Sequence, residues 1–301
     1  MPALARRYFR QRSAVVGLAI GVVIVAGAVL GPLAYRASPI AIDHALLGLP
    51  QAPSLAHPLG TDLLGRDQLA RILYGGRVSL TVGFVAMIVA VVVGTLYGAV
   101  AGAAGGVVDA LMMRLVDALL SFPAFFLIIT VEALTNQFAI AIIILVIGLL
   151  SWMGVARLVR AEVLSLRQRD FVEAAIALGA SRTRIVVRHL IPNALAPVVV
   201  AAAFAIGDNI LAESSLSFFG LGVQPPSPSW GNMLQDALTP QAEAAPWMVL
   251  APGLAIVATV LAFSVVADGI RVALDTTIGQ ETGDADIVEA APNVPTPAPA
   301  T

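Results

Sequence analysis

Six long apolar runs, separated by polar segments, form the dominant pattern of the chain. Each run has about 20 mostly apolar residues, the length that an α-helix needs to cross the hydrocarbon core of a bilayer. The runs are unbroken, whereas the strands of a transmembrane barrel alternate apolar and polar positions. The pattern therefore predicts an all-α polytopic membrane protein with six transmembrane helices, at residues 14–35, 79–103, 111–134, 137–155, 194–213 and 247–267.

Two of these runs carry a feature that needs interpretation. The first run follows four arginines within residues 1–13, as a signal peptide would. It is longer than the roughly 7–15 apolar residues of a signal sequence, so we expect a retained helix over residues 14–35. The third run contains Pro123, which lacks a backbone N–H donor and therefore predicts a kink.

The composition narrows the class of protein. Hydrophobic residues make up 58% of the 301 residues and charged residues only 12%, about half of the share that is typical of soluble domains. So few charges cannot cover the surface of a soluble enzyme, and a disordered chain would be less apolar. The net charge of −2 argues against a nucleic-acid-binding protein, which would present a basic surface. The absence of cysteine excludes disulfides and thiol chemistry.

The arginines are distributed unevenly among the predicted loops. Twelve of the 17 fall on the side that includes the N-terminal segment 1–13, and four fall on the other side, all within segment 36–78. Because positive charge accumulates in cytoplasmic loops, both termini are predicted to be cytoplasmic. Segments 36–78 and 214–246 are then extracytoplasmic. The acidic, proline-rich residues 280–301 are predicted to form a disordered cytoplasmic tail.

The most informative polar segment is the predicted cytoplasmic loop 157–193. Its middle, near residues 170–178, has a helical pattern in which Phe171, Ala175 and Leu178 share one face. The alanines of this stretch keep the predicted helix thin, so that a partner surface can approach its backbone closely.

Three residues set the ends of the predicted elements in this loop. Gly179 is a natural stop for the short helix. Ser181 is suited to cap the helix that follows it, and Pro192 is expected to end that second helix. The loop is therefore predicted to be a basic, helical projection on the cytoplasmic face.

The same loop contains a recognisable motif. The run Glu173-Ala174-Ala175, followed by Gly179 and by Ile191-Pro192 at the expected offset, resembles the EAA loop of ABC-importer permease subunits. The stretch 188–193 is similar to the dipeptide, oligopeptide and nickel branch of that family, and to its shorter, C-type subunit. Further stretches that resemble this branch are 57–67, 74–80, 213–231 and 252–275.

The resemblance implies a type I ABC-importer permease fold in a bacterial-type inner membrane, with residues 79–275 as its transmembrane core. It also implies partners besides the lipid bilayer: a second permease subunit, two ATP-binding subunits and an extracytoplasmic solute-binding protein. The chain has no GxxxxGK[ST] phosphate loop, so ATP hydrolysis is assigned to the partners, and no cofactor is implied. The residues that the resemblance assigns to ATPase coupling are Phe171, Glu173, Ala174, Ala175, Leu178, Gly179 and Pro192.

An acidic residue within an apolar run is a second candidate for function. Asp208 lies about 14 residues into the fifth predicted helix, roughly 21 Å from its inner end. Ionisable residues inside a membrane are costly, and they commonly mark transport pathways. Asp208 is expected either to line the translocation path, where it would meet the amino group of a peptide, or to contact another helix or a partner subunit.

Other classes of function receive less support. The alternative is a self-sufficient secondary transporter or channel, but six spans are few for such a protein. The three histidines are far apart in the sequence, and no arrangement of residues suggests a metal site or an intramembrane enzyme. The substrate stays open among dipeptides, longer peptides, nickel complexes and other small solutes.

Overall fold

The computed structural model of the chain describes residues 2–123, 126, 130 and 140–275. This part of the chain is helical, apart from loops and one isolated bridge between Thr61 and Asp67. Short 3₁₀ turns occupy His44–Leu46 and Pro240–Ala244. In chain order, the helices are α1 Pro2–Arg10, α2 Arg12–Ala34, α3 Gln68–Ala104, α4 Gly106–Leu120, α5 Ile140–Leu166, α6 Asp170–Ala177, α7 Arg182–Ile185, α8 Ile191–Phe218, α9 Trp230–Asp236 and α10 Trp247–Leu274.

Five helices within the described ranges are long and apolar enough to cross a membrane. They are α2, α3, α5, α10 and the continuous helix that α7 and α8 form together. The predicted all-α polytopic fold is confirmed. The predicted third span, 111–134, is covered by α4 only up to Leu120, and the rest of it falls largely on residues outside the described ranges.

Helix α3 is longer than the apolar pattern predicts. It begins at Gln68, whereas the apolar run begins at Ser79. The Asp67 carboxylate caps the helix by accepting a hydrogen bond from the Ala70 backbone N–H at 2.7 Å. The first turns contain polar side chains such as Gln68 and Arg71, which are buried by neighbouring segments rather than by lipid. Hydropathy therefore does not reveal this part of the helix.

The kink predicted at Pro123 stays a prediction, since most of the residues that follow it lie outside the described ranges. Helix α4 ends at Leu120, before Pro123. The proline ring disfavours helical geometry in the residue before it, so a helix commonly ends ahead of a proline.

Close packing of α3 against α5 forms the centre of the bundle. Gly94 and Gly102 of α3 face Val155 and Val163 of α5. A Cβ atom added at Gly94 would lie 2.6 Å from the Cβ of Val155, and one added at Gly102 would lie 2.9 Å from Cγ1 of Val163. Small residues spaced four apart, with Gly98 between these two, let helix backbones approach closely inside a membrane.

The helix that begins at Arg182 does not end at Pro192, contrary to the prediction. It continues through a π turn, Val186–Leu190, directly into α8. A proline in a helix clashes with the carbonyl of the residue four positions earlier. A π turn widens the helix at that point, and the Ile191 N–H donates to the Val186 carbonyl five residues back. Pro192 is thereby accommodated in the first turn of α8.

Candidate functional site

The short helix predicted in the polar loop is present as α6, Asp170–Ala177. We call it the loop helix. Gly179 adopts φ +80°, and the Ala180 N–H donates to the Ala175 carbonyl at 3.0 Å, which closes the helix end. The Ser181 hydroxyl accepts a hydrogen bond from the Arg184 backbone N–H and caps α7, as predicted.

One side of the loop helix is anchored in the bundle. Val172 is 2% exposed, and it belongs to an apolar cluster that includes Val159 of α5, Leu190 of the π turn and Val198 of α8. Ala175, one turn further along, packs against the same cluster. Three membrane-spanning helices, α3, α5 and α8, contribute to this cluster, so the loop helix is fixed to all of them.

The other side of the loop helix is exposed and largely apolar. Leu178 is 88% exposed and Phe171 is 42% exposed. Glu173 and Ala174 are also exposed. Apolar side chains at the surface, beyond the membrane-spanning segments, form the kind of patch that another protein covers.

The predicted coupling residues do not form one contiguous site. Residues 171–179 lie together on the loop helix and its end. Pro192 is exposed and lies beyond α7 and the π turn, in the first turn of α8. It follows the π turn that connects the loop region to α8.

Ion pairs and a backbone contact hold the start of the loop against α3 and α4. The Arg160 guanidinium donates to both carboxylate oxygens of Asp109, at 2.5 and 2.7 Å. These hydrogen bonds hold the pKa of Asp109 below its ordinary value of 3.8. Arg157 pairs with Asp117. The Arg167 side chain donates to the Gly102 carbonyl, near the end of α3, at 2.8 Å.

Asp208 lies on α8, well away from the loop helix. It is 17 residues beyond Ile191, which corresponds to about 26 Å along the helix axis. Its side chain is exposed, and its carboxylate has no hydrogen-bond or ion-pair partner within the described residues. The neighbouring Asn209 is buried instead, where its side-chain oxygen accepts a hydrogen bond from the Ser151 hydroxyl of α5 at 2.8 Å.

A second acidic residue of α8 is fully enclosed. Glu213 is 0% exposed, and its carboxylate accepts hydrogen bonds from the hydroxyls of Ser79 and Ser217, each at 2.7 Å. The Ser79 hydroxyl also accepts a hydrogen bond from the Trp230 backbone N–H at 3.3 Å. Glu213 thus joins α3, α8 and the start of α9.

At the end of the bundle opposite the loop helix, the segments before α3 and after α8 form one folded unit. We call it the cap, residues 36–67 and 219–246. Asp62 is 1% exposed and pairs with both Arg66 and Arg71. The same two guanidinium groups each donate to Asp236, at 2.8 Å. Four charges therefore link the two segments of the cap to the start of α3.

Further hydrogen bonds fix the cap to the helices. Asp67 accepts hydrogen bonds from the Tyr35 hydroxyl, at 2.8 Å, and lies 2.8 Å from Nδ1 of His57. The pKa of the Tyr35 hydroxyl is raised to about 12. Desolvation by burial is the largest cause, and the contact with Asp67 adds to it. The Trp247 indole donates to the Thr61 carbonyl at 2.9 Å. Within the described ranges, no three His, Asp or Glu side chains come together to hold a metal ion.

Comparison with known proteins shows which family has this architecture. Residues 94–280 match the family described as binding-protein-dependent transport system inner membrane component. The oligopeptide transport system permease protein OppC of Escherichia coli is 44% identical over 270 residues, which cover 90% of this chain and 89% of that protein. The chain belongs to this family. The OppC protein of Haemophilus influenzae is 40% identical over 90% of this chain and 86% of its own length. The dipeptide transport system permease protein DppC of Alkalihalophilus pseudofirmus is 39% identical over 88% of this chain and 86% of its own length.

Membership of the family confirms the resemblance seen in the sequence. It also confirms the predicted function at the level of the family, the permease component of an ATP-driven importer. Several apolar helices of spanning length agree with a multi-pass membrane protein.

Sequence reasoning missed the polar contacts that hold the permease together. Asp109 and Arg160 are 51 positions apart, and Arg66 and Asp236 are 170 apart, so no local pattern connects them. For Asp109 and Arg160 a signal was present, because both lie close to the end of an apolar run, where an ion pair can be buried between segments without entering the hydrocarbon core. Arg66 and Asp236 lie inside polar segments, and their sequence surroundings give no such signal.

Proposed function

We propose that this permease is one of two membrane subunits of an ATP-driven peptide importer, and that it forms half of the translocation path. The observation that carries the proposal is the loop helix, which is anchored on one side through Val172 and exposed on the other through Phe171 and Leu178. A helix held in this way transmits a force from a partner to the membrane-spanning helices. The relatives are named as oligopeptide and dipeptide transport permeases, which supports peptides as the substrate class.

In this proposal, the exposed side of the loop helix docks on a separate ATP-binding subunit. The chain has no phosphate-binding loop and no lysine, so the energy of ATP reaches it from that partner. Glu173 and Ala174 contribute to the docking surface, and Gly179 ends the helix so that its apolar tip, Leu178, projects outward. Movement of the partner then shifts α3, α5 and α8 together.

The proposed orientation places the loop helix and both termini in the cytoplasm. The excess of arginines at that end of the bundle supports this orientation. The cap is then extracytoplasmic, where it is the surface available to a solute-binding protein. Asp208 is proposed to line the path between the two ends. Its carboxylate, which has no partner among the residues that the structure describes, is suited to the amino group of a peptide.

The coupling role is tested by Leu178→Glu, with Leu55→Glu as the matched control. Both side chains are exposed, at 88% and 105%, so neither change disturbs the packing of the bundle. Leu55 lies in the cap, at the opposite end. We expect Leu178→Glu to abolish co-purification of the ATP-binding subunits, and Leu55→Glu to leave it intact.

The substrate class is tested in the same reconstituted complex. A solute-binding protein loaded with di- or oligopeptide is expected to stimulate ATP hydrolysis, and Leu178→Glu is expected to remove that stimulation. Stimulation by nickel alone would contradict the peptide assignment. ATP-independent uptake by the purified chain, driven by an ion gradient, would favour the secondary transporter instead.

A further inference from the structure

A groove runs between α2 and α10 on the outside of the bundle. It has a volume of about 620 Å³, and its walls are the apolar side chains of both helices. Val16 and Ile20 form part of one wall, and Val257 and Leu261 form part of the other. The helices are antiparallel here, since Gly17 of α2 packs against Val265 near the end of α10. One end of the groove is polar, because Arg12 lines it.

The polar end of the groove coincides with the edge of the membrane. Helix α2 has 23 residues and is about 34 Å long, close to the roughly 30 Å thickness of the hydrocarbon core. Arg12 is the first residue of α2. Its guanidinium group therefore lies at the level of the lipid headgroups, while the apolar length of the groove extends into the hydrocarbon.

Helix α1 adds fixed positive charge at the same end. It is docked on the bundle by Tyr8, whose hydroxyl donates to the Ala14 carbonyl at 3.1 Å and whose ring faces Gly269 of α10. The Gln11 side chain also donates to the Gly269 carbonyl. Because α1 is held in place, its exposed arginines keep a defined position beside the groove; they are Arg6, Arg7 and Arg10.

None of these four guanidinium groups has a hydrogen-bond or ion-pair partner in the described part of the chain. Asp268 lies on α10 one turn beyond Val265, and it has no ion-pair partner within the described residues. An apolar groove of membrane depth that ends in unpaired cations complements a molecule with a long apolar chain and an anionic head.

We propose that this groove is a binding site for an anionic phospholipid. One acyl chain lies between α2 and α10, and the phosphate group meets Arg12 and the arginines of α1. Basic residues on an amphipathic helix beside a membrane are suited to anionic lipids, whose headgroups they attract electrostatically. A zwitterionic phospholipid shares the acyl chain but lacks the net charge, so the site discriminates by headgroup.

The test measures lipid retention by the purified transport complex after exposure to an equal mixture of phosphatidylglycerol and phosphatidylcholine. Native mass spectrometry counts the lipids of each type that remain bound. The wild-type complex is expected to retain phosphatidylglycerol preferentially. Arg12→Gln is expected to reduce that preference about fivefold, the factor that corresponds to the contribution of one arginine near an anionic surface.

The matched control is Arg36→Gln. Arg36 follows the other end of α2, is exposed, and lies outside the groove, so its replacement should leave the preference unchanged. A second variant, Ala258→Trp, fills the apolar wall of the groove and is expected to lower retention of both lipids. Equal retention of the two lipids by the wild-type complex, or an unchanged preference in Arg12→Gln, would overturn the proposal. ATPase association and peptide stimulation are separate readouts, so these outcomes do not depend on the proposed substrate.

Discussion

At the scale of single residues, the buried polar side chains of α8 contribute specific contacts rather than hydrophobic burial. Ser217 is 0% exposed, and its hydroxyl donates to the Glu213 carboxylate while accepting from the Val223 backbone N–H at 3.0 Å. A buried polar group that loses its partner carries the full cost of its desolvation. The contacts of Ser217 therefore matter more than its small size indicates.

We predict that Ser217→Ala lowers the free energy of unfolding by about 1–3 kcal/mol, because Glu213 and the Val223 N–H each lose a partner. Ser215→Ala is the control, two positions earlier in the same helix. The Ser215 hydroxyl is exposed and donates only to the Leu211 carbonyl of its own helix. Thermal unfolding of the purified permease should separate the two variants, and equal melting temperatures would contradict the role assigned to Ser217.

At the scale of elements, the glycines of α3 determine how closely α3 packs against α5. Gly98 lies opposite Val159 of α5, and a Cβ atom added to it would lie 2.9 Å from the Cβ of Val159. A larger side chain at this position has no space unless the two helices separate. Because α5 also leads into the loop helix, their separation would change the position of the loop helix.

Gly98→Val is expected to destabilise the permease by about 1–3 kcal/mol or more, the usual cost of overpacking. Gly154→Val in α5 is the matched control, since a Cβ atom at Gly154 meets nothing within 4 Å. Limited proteolysis and thermal unfolding measure the difference. If both variants behaved alike, the close approach at Gly98 would not be what holds this helix pair together.

How far the sequence predicts an element depends on whether its signals are local. The loop helix was predicted at residues 170–178 and ends at Ala177, because Gly179 marks its end directly. The start of α3 was missed because the helix begins with polar residues that the cap covers. The effect of Pro192 was predicted wrongly because it depends on the width of the preceding turn, and local sequence does not specify that width.

At the scale of the whole molecule, ion pairs between charged residues that are distant in the sequence hold the two segments of the cap together. The Asp62 carboxylate accepts hydrogen bonds from the side chains of Arg66 and Arg71. It also accepts one from the Leu64 backbone N–H, at 2.9 Å. Family resemblance marked the stretch around Asp62 as a motif, but it did not indicate that Asp236 completes the cluster. Such a pairing becomes visible only when the fold brings the two segments together.

Asp62→Asn removes one of the two carboxylates that balance the paired arginines. Breaking a buried ion pair costs about 3–5 kcal/mol, and we expect the lower end of that range because the amide keeps an acceptor. Asp43→Asn is the control, since Asp43 is an exposed cap residue of a 3₁₀ turn and Asn caps equally well. Hydrogen exchange should show faster opening of the cap in Asp62→Asn alone, and slow exchange in both variants would refute this role.

The length of α3 has a mechanical consequence. Its 37 residues make a rod of about 55 Å, which is tied to the cap at Asp67 and to the start of the loop at Gly102. Helix α3 contains no proline that could kink it, so it can transmit a rotation along its whole length. If α3 tilts by about 10° around one end, its other end moves by nearly 10 Å. A small rotation of the helix on one face of the membrane therefore produces a large displacement on the opposite face.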